Sequence, residues 1–141
     1  MSRILPAMTR TQTDITAVVD THLAAYGEPD PARRADLLGR VWAEDGRLVD
    51  PPAIGEGRDG IGRLADALQQ QFAGHRFRRT SAVDAHNDAL RYAWELVGPD
   101  GSVALAGLDV GELGPDGMLR RVTGFFGPLA AAGAGAAEPA T

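Results

Sequence analysis

Cysteine is absent from the 141 residues, and so is lysine. Without cysteine there is no disulfide framework and no thiolate chemistry, which fits a reducing cytoplasm. Without lysine all 14 basic side chains are arginines, and with alanine and glycine so frequent we read this as compositional bias rather than chemistry. No stretch approaches the ~18–20 apolar residues that a membrane span needs. The opening MSRILPAMTR carries too short an apolar run for a signal peptide. Positive charge is in the minority, and a net charge of −5 argues against a phosphate-backbone partner. The three histidines lack the H-x-x-x-H spacing of a helical metal site, so no metal is expected.

What is present suits one globular domain: 44% hydrophobic residues, 23% charged, and length enough for a single sizeable core. Residues 1–11 read as a flexible tail. From Thr13 the apolar positions Ile15, Val18, Val19, Leu23 and Tyr26 form a helical stripe with His22 in its middle, ended by Gly27. Asp30-Pro31 supplies an N-cap and first-turn proline for a second helix. Its apolar face is Leu37, Leu38, Val41 and Trp42, and Asp45-Gly46 closes it. A short strand, Arg47 to Val49, then runs into Asp50 and stops at Pro51-Pro52. After a glycine-rich turn, Asp59 is placed to cap a third helix carrying Ile61, Leu64, Leu68 and Phe72.

Beyond Gly74 the period changes to alternation. One strand spans 75–84, with Phe77, Arg79, Ser81 and Val83 in one phase. The turn at His86-Asn87-Asp88 leads into Leu90, Tyr92, Trp94 and Leu96. Pro99-Asp100-Gly101 and Pro115-Asp116-Gly117 mark two further hairpins. Between them Leu105, Gly107 and Asp109 share a phase, and the last strand is Met118 to Gly127. Residues 129–141 are low in complexity and read as a disordered tail. Three helices followed by a four-strand antiparallel meander make an α+β domain over 12–128. A curved sheet folded around the first helix would enclose a conical pocket.

Asp50 stands at the end of a strand with prolines fixing the chain behind it, where a general base would be held rigidly; Asp before Pro is also ordinary turn chemistry. Asp109 lies between Leu108 and Val110, and an acid in an apolar phase has either a raised pKa or a buried partner. His22 is either a satisfied core histidine or a pocket group. Arg79 either reaches inward to an acid or a substrate carbonyl, or turns to water. Tyr92, Trp94 and Phe126 either line a ligand pocket or pack the core. Two motifs mislead. Gly55-x-Gly57-x-x-Gly60 spells a dinucleotide fingerprint, yet antiparallel hairpins leave no parallel sheet for a nucleotide cofactor, so none is expected. The basic run His75–Arg79 alternates faces on a strand and suits a solvated or dimer-facing surface.

The segments TAVVDTHLAAY, PARRADLLGRVWAEDGRLVDP, GRDGIGRLADALQQQF and GLDVGEL…LRRVTGFFG resemble the SnoaL-like branch of the NTF2-like superfamily over about residues 12–127. That superfamily holds ketosteroid isomerases, polyketide cyclases, limonene epoxide hydrolases and non-catalytic binders. The resemblance implies an NTF2-like (cystatin-like) cone, dimeric through the outer sheet face. On the ketosteroid-isomerase pattern it implies Asp50 as general base and Asp109 as a protonated donor to an oxyanion. His22 stands where that pattern has its oxyanion tyrosine, and imidazole lacks phenol acidity. The expected activity is proton transfer on an apolar, carbonyl-bearing or polycyclic small molecule. Asp50, Asp109 and His22 would be catalytic; Tyr26, Trp42, Phe72, Arg79, Tyr92, Trp94, Val122 and Phe126 would surround the substrate. A non-catalytic binding or scaffolding role and an epoxide hydrolase remain alternatives. Ala93, Val97, Ala104, Ala106, Leu108 and Val110 occupy the opposite phase of the long strands, which predicts a homodimer through that face.

Overall fold

A computed structural model describes residues 11–133; the expected tails, 1–11 and 129–141, lie outside it but for residue 11 and residues 129–133. Helix α1 (Gln12–Tyr26) opens on Thr11, which forms a capping box with Asp14. Helix α2 (Pro31–Val41) is capped by the Asp30 carboxylate, which accepts from the Ala32 amide at 3.3 Å. Inside α2, the buried Arg34 donates to the carbonyls of Glu28 and Gly62 and ties the helix to its neighbours.

The second helix does not extend to Asp45-Gly46. It ends at Val41, and the chain enters strand β1 (Trp42–Asp50) at once. The Trp42 indole lies over Gly46, where any Cβ would strike the ring. The glycine therefore serves the strand's packing rather than stopping a helix. The expected glycine-rich turn is instead strand β2 (Ala53–Glu56), which returns along β1. Helix α3 (Gly57–Gln71) begins earlier than expected, on Glu56 with no side-chain cap, so Asp59 sits inside its first turn. A Cβ at Gly55 would stand 2.9 Å from the Gly60 carbonyl oxygen. The glycines of the apparent dinucleotide motif thus let β2 and α3 approach closely.

The single strand expected over 75–84 divides into β3 (Arg76–Arg79) and β4 (Asp84–His86), both paired with β5 (Ala89–Val97). Strands β6 (Val103–Leu113) and β7 (Leu119–Phe126) complete the antiparallel meander. The sheet order is β2-β1-β7-β6-β5-β3, with β4 also on β5, and the β1–β7 pair is parallel. The fold is α+β, with three N-terminal helices and a mixed, mostly antiparallel sheet. Alternation along β5 buries Leu90, Tyr92, Trp94 and Leu96 on the inner face. The same alternation leaves Val110 and Phe125 exposed on the outer one.

Candidate functional site

The register of the sheet sets the site. Tyr92 of β5, Asp109 of β6 and Gly124 of β7 lie in one row across the inner face. The next strand, β1, ends at Asp50 beside that row, because Val49 pairs with Thr123. A Cβ at Gly124 would collide with Asp50 Oδ1 and stand 2.9 Å from Asp109 Oδ1. The two carboxylates therefore converge on the space a side chain would fill. Their oxygens fall within the ~4–6 Å over which one charge shifts another's pKa. One row further on, Gly107 faces Trp94, and a Cβ there would strike the indole. Glycine at this position lets the ring lie across β6 and reach Asp109.

Each acid has donors of its own. Tyr92 Oη donates to Asp109 Oδ2 at 2.6 Å and Trp94 Nε1 to Asp109 Oδ1 at 2.9 Å. Tyr26 Oη donates to Asp50 Oδ2 at 3.3 Å. One turn earlier on α1, His22 stacks on Tyr26 and accepts the Trp42 indole N–H on Nδ1 at 3.1 Å. The ring hydrogen is then on Nε2, at the other edge of the ring, and His22 is one of the residues lining the cavity.

Burial dominates the electrostatics. It raises Asp109 to about 7, outweighing the donors Tyr92 and Trp94, and nearby Asp50 adds in the same direction. Asp50 is raised by burial and held back by the Tyr26 hydroxyl. Burial lowers His22 to about 4, so the ring is neutral near pH 7. Tyr26 and Tyr92 are raised by burial and by the carboxylates they bond, so both remain protonated donors.

These groups open on a cavity of about 390 Å³ between α1, α3 and the inner sheet face, within the usual ~300–1,000 Å³ range of small-molecule pockets. Asp50, Asp109 and His22 all line it, together with Tyr26, Phe72, Trp94 and Phe126. Four other residues expected to touch substrate do not line it. Trp42 is wholly buried behind His22. Tyr92 stands behind Asp109, and Val122 packs in the core beside Leu48 and Gly111. Arg79 binds Asp20 of α1 through both Nε and Nη2, at 2.7 and 3.1 Å, which draws it out of the pocket. In the same basic run, Arg78 pairs with Glu95 of β5. Phe77 and Leu105 also line the cavity, as their strand phases allow; so do Pro51, Pro52 and Gln71, for which no pattern gives a signal. Among the described residues no three His, Cys, Asp or Glu side chains are placed to hold a metal ion, and no helix is long and apolar enough to cross a membrane.

Three N-terminal helices on a mixed, mostly antiparallel sheet, with two acids in the cavity wall, define an NTF2-like (cystatin-like) protein. No family model matches the sequence, and no curated protein does. Solved structures do. One from Agrobacterium tumefaciens, provisionally named an isomerase of the SnoaL-like family, is 39% identical, with 82% of this chain and 99% of that one covered and a TM-score of 0.77. The chain belongs to the SnoaL-like family. A structure from Jannaschia sp., provisionally named a SnoaL-like polyketide cyclase, is 15% identical over 89% of this chain and 91% of that one, with a TM-score of 0.67. A protein of ketosteroid isomerase-like fold from Catenulispora acidiphila, in complex with trimethylamine, is 16% identical over 77% and 83%, with a TM-score of 0.63. At these lower identities the likeness is one of fold.

Proposed function

We propose that this protein is an enzyme of the isomerase or cyclase type that moves protons on an apolar, carbonyl-bearing small molecule. The observation that carries the reading is the convergence of Asp50 and Asp109 on Gly124, with Asp109 raised to about 7. Two acids forced together in an apolar pocket do not both ionise readily, so one holds a proton while the other acts as base. Asp50 is the less buried of the two and takes the role of base. It removes a proton from carbon next to a carbonyl; the C–H electron pair forms the enolate C=C bond, and charge develops on the carbonyl oxygen. Asp109 in its protonated form, or the Nε2–H of His22, donates to that oxygen. Return of the proton from Asp50 to a different carbon of a conjugated enolate completes an isomerisation. In a cyclisation the enolate carbon attacks a second carbonyl, the C=O pair moves onto its oxygen, and that alkoxide takes the proton from Asp50.

The test needs no known substrate. Apolar cyclic ketones and poly-β-keto compounds are incubated with the protein in D₂O, and α-proton exchange is followed by NMR. The wild type exchanges at least one of them faster than buffer, and Asp50→Asn loses that exchange while still binding the compound. Exchange that persists in Asp50→Asn, or a wild type no faster than buffer on the whole panel, overturns the reading and leaves a binding protein.

A further inference from the structure

The acid pair offers acceptors, and the neutral donors around it are already used. Three neutral donors surround the acids, and all three point at them: Tyr26 at Asp50, Tyr92 and Trp94 at Asp109. Among the described residues no arginine lines the cavity, and Arg79, the one nearest in strand phase, is held by Asp20. Once both acids are ionised, a ligand group that meets them must bring a hydrogen or a positive charge. The walls beside the acids are aromatic. Tyr26 and Phe77 stack at 5.3 Å, and Phe77–Trp94 and Trp94–Phe126 meet edge to face at 5.4 and 6.0 Å. Ring faces beside carboxylates attract a cation whose own hydration has been stripped. Independently of the acids, His22 lines the same cavity with its Nδ1 taken by the Trp42 indole, so its ring hydrogen is on Nε2. That hydrogen calls for an acceptor oxygen on the ligand.

We infer that the cavity is selective for cationic small molecules, an apolar amine or quaternary ammonium compound that also carries a carbonyl or hydroxyl oxygen. The ammonium group sits against Asp50 and Asp109 within the aromatic wall, and the oxygen accepts from His22 Nε2–H. This rests on the reading of the cavity as the functional site and narrows its substrate to amine-bearing carbonyl compounds. The groups that face Asp109 are Asp50 from β1, Tyr92 and Trp94 from β5, and Tyr26 and His22 from α1. Of these, His22 and the two tyrosines stay neutral, and Asp50, the other acid, is also raised by burial. Affinity for a cation therefore rises as pH passes upward through about 7, where Asp109 gives up its proton.

The probes are an isosteric trio: choline, the neutral 3,3-dimethylbutan-1-ol and the anionic 3,3-dimethylbutanoate. Binding is read from the indole N–H resonance of Trp94, which reports on the site because it bonds Asp109. Choline is expected to bind at least tenfold more tightly than the alcohol at pH 8, which is ~1.4 kcal/mol, with the carboxylate weaker still. The preference shrinks at pH 5, and Asp50→Asn reduces choline affinity while leaving the alcohol within about twofold. Equal affinity for choline and the alcohol, a preference that does not change with pH in the wild type, or no response to choline at all overturns the inference. If the alcohol moves Trp94 as strongly as choline does, charge selectivity falls while the proton-transfer reading still stands on its exchange test.

Discussion

Replacing Asp109 by Asn tests the desolvation on which the site depends. The carboxyl has an ordinary value of 3.8 and is raised to about 7 in the folded chain. A raised acid holds its proton more tightly in the native state, so its stabilising contribution is full below the unfolded value. That contribution is lost as pH rises through the folded value. At ~1.4 kcal/mol per pH unit, the displacement amounts to ~4 kcal/mol of stability lost between about pH 4 and pH 8. Asparagine cannot ionise and escapes that loss. It does give up a hydrogen bond, because its carbonyl can accept from Tyr92 or Trp94 but its NH₂ must face the other donor, at a cost of ~1–3 kcal/mol. Asp109→Asn is thus less stable than the wild type at pH 4 and equal or more stable at pH 8. Urea unfolding of both proteins at several pH values, followed by tryptophan fluorescence, gives the difference directly, and titrations common to both cancel. A wild-type-minus-variant difference that stays constant from pH 4 to pH 8 would refute the reasoning, because the acid would then be no more desolvated than in the unfolded chain.

Gly124→Ala should destabilise the fold by ~1–3 kcal/mol, because its Cβ enters the space shared by the two acids. Gly39→Ala, in an exposed stretch of α2 where a Cβ meets nothing within 4 Å, should stabilise by ~0.5–1 kcal/mol; denaturant melts showing the same sign for both would sink the contrast. The outer sheet face, where Leu108 lies between Ala93 and Phe125 and where Val110 and Phe125 are 42% and 54% exposed, should pair two copies. Sedimentation should therefore show a wild-type dimer at micromolar concentration and a monomeric Phe125→Glu variant, and a monomeric wild type would remove the interface.

The helices were legible because their signals are local. The apolar stripe of α1 and the Asp30-Pro31 start of α2 both act within a few residues of chain. The hairpin turns were legible for the same reason. The first half of β1 and the whole of β2 were misread because their strand character comes from partners distant in sequence. Glu44, Asp45 and Gly46 look like a turn in isolation, yet they lie in a strand that joins β7 through an irregular register between Trp42 and Arg47. The acids could be singled out because a charge in an apolar phase is conspicuous on its own. Gly124 could not, since a glycine near a strand end has many ordinary explanations, and only the cross-strand register shows two carboxylates meeting over it. Arg79 failed for a complementary reason: its strand phase is right, but Asp20, 59 positions away in the chain, captures it.

In the proposed mechanism the choice of base rests on burial rather than on the number of hydrogen bonds. Asp109 accepts two donors, one of them at 2.6 Å, and Asp50 accepts one at 3.3 Å. Donors favour the ionised form, so a count of hydrogen bonds alone would make Asp109 the stronger acid and Asp50 the proton carrier. Desolvation reverses that order. Asp109 sits mid-strand under α1 with Trp94 and Tyr92 around it, and burial is the leading cause of its rise to about 7. Asp50, at the strand's end where Pro51 and Pro52 form the rim, is only half-buried. The donors on Asp109 then act less to ionise it than to fix its orientation, with Oδ1 toward Asp50 and Oδ2 held by Tyr92. A carboxyl locked in this way presents its proton in one direction, toward the point where Gly124 leaves room.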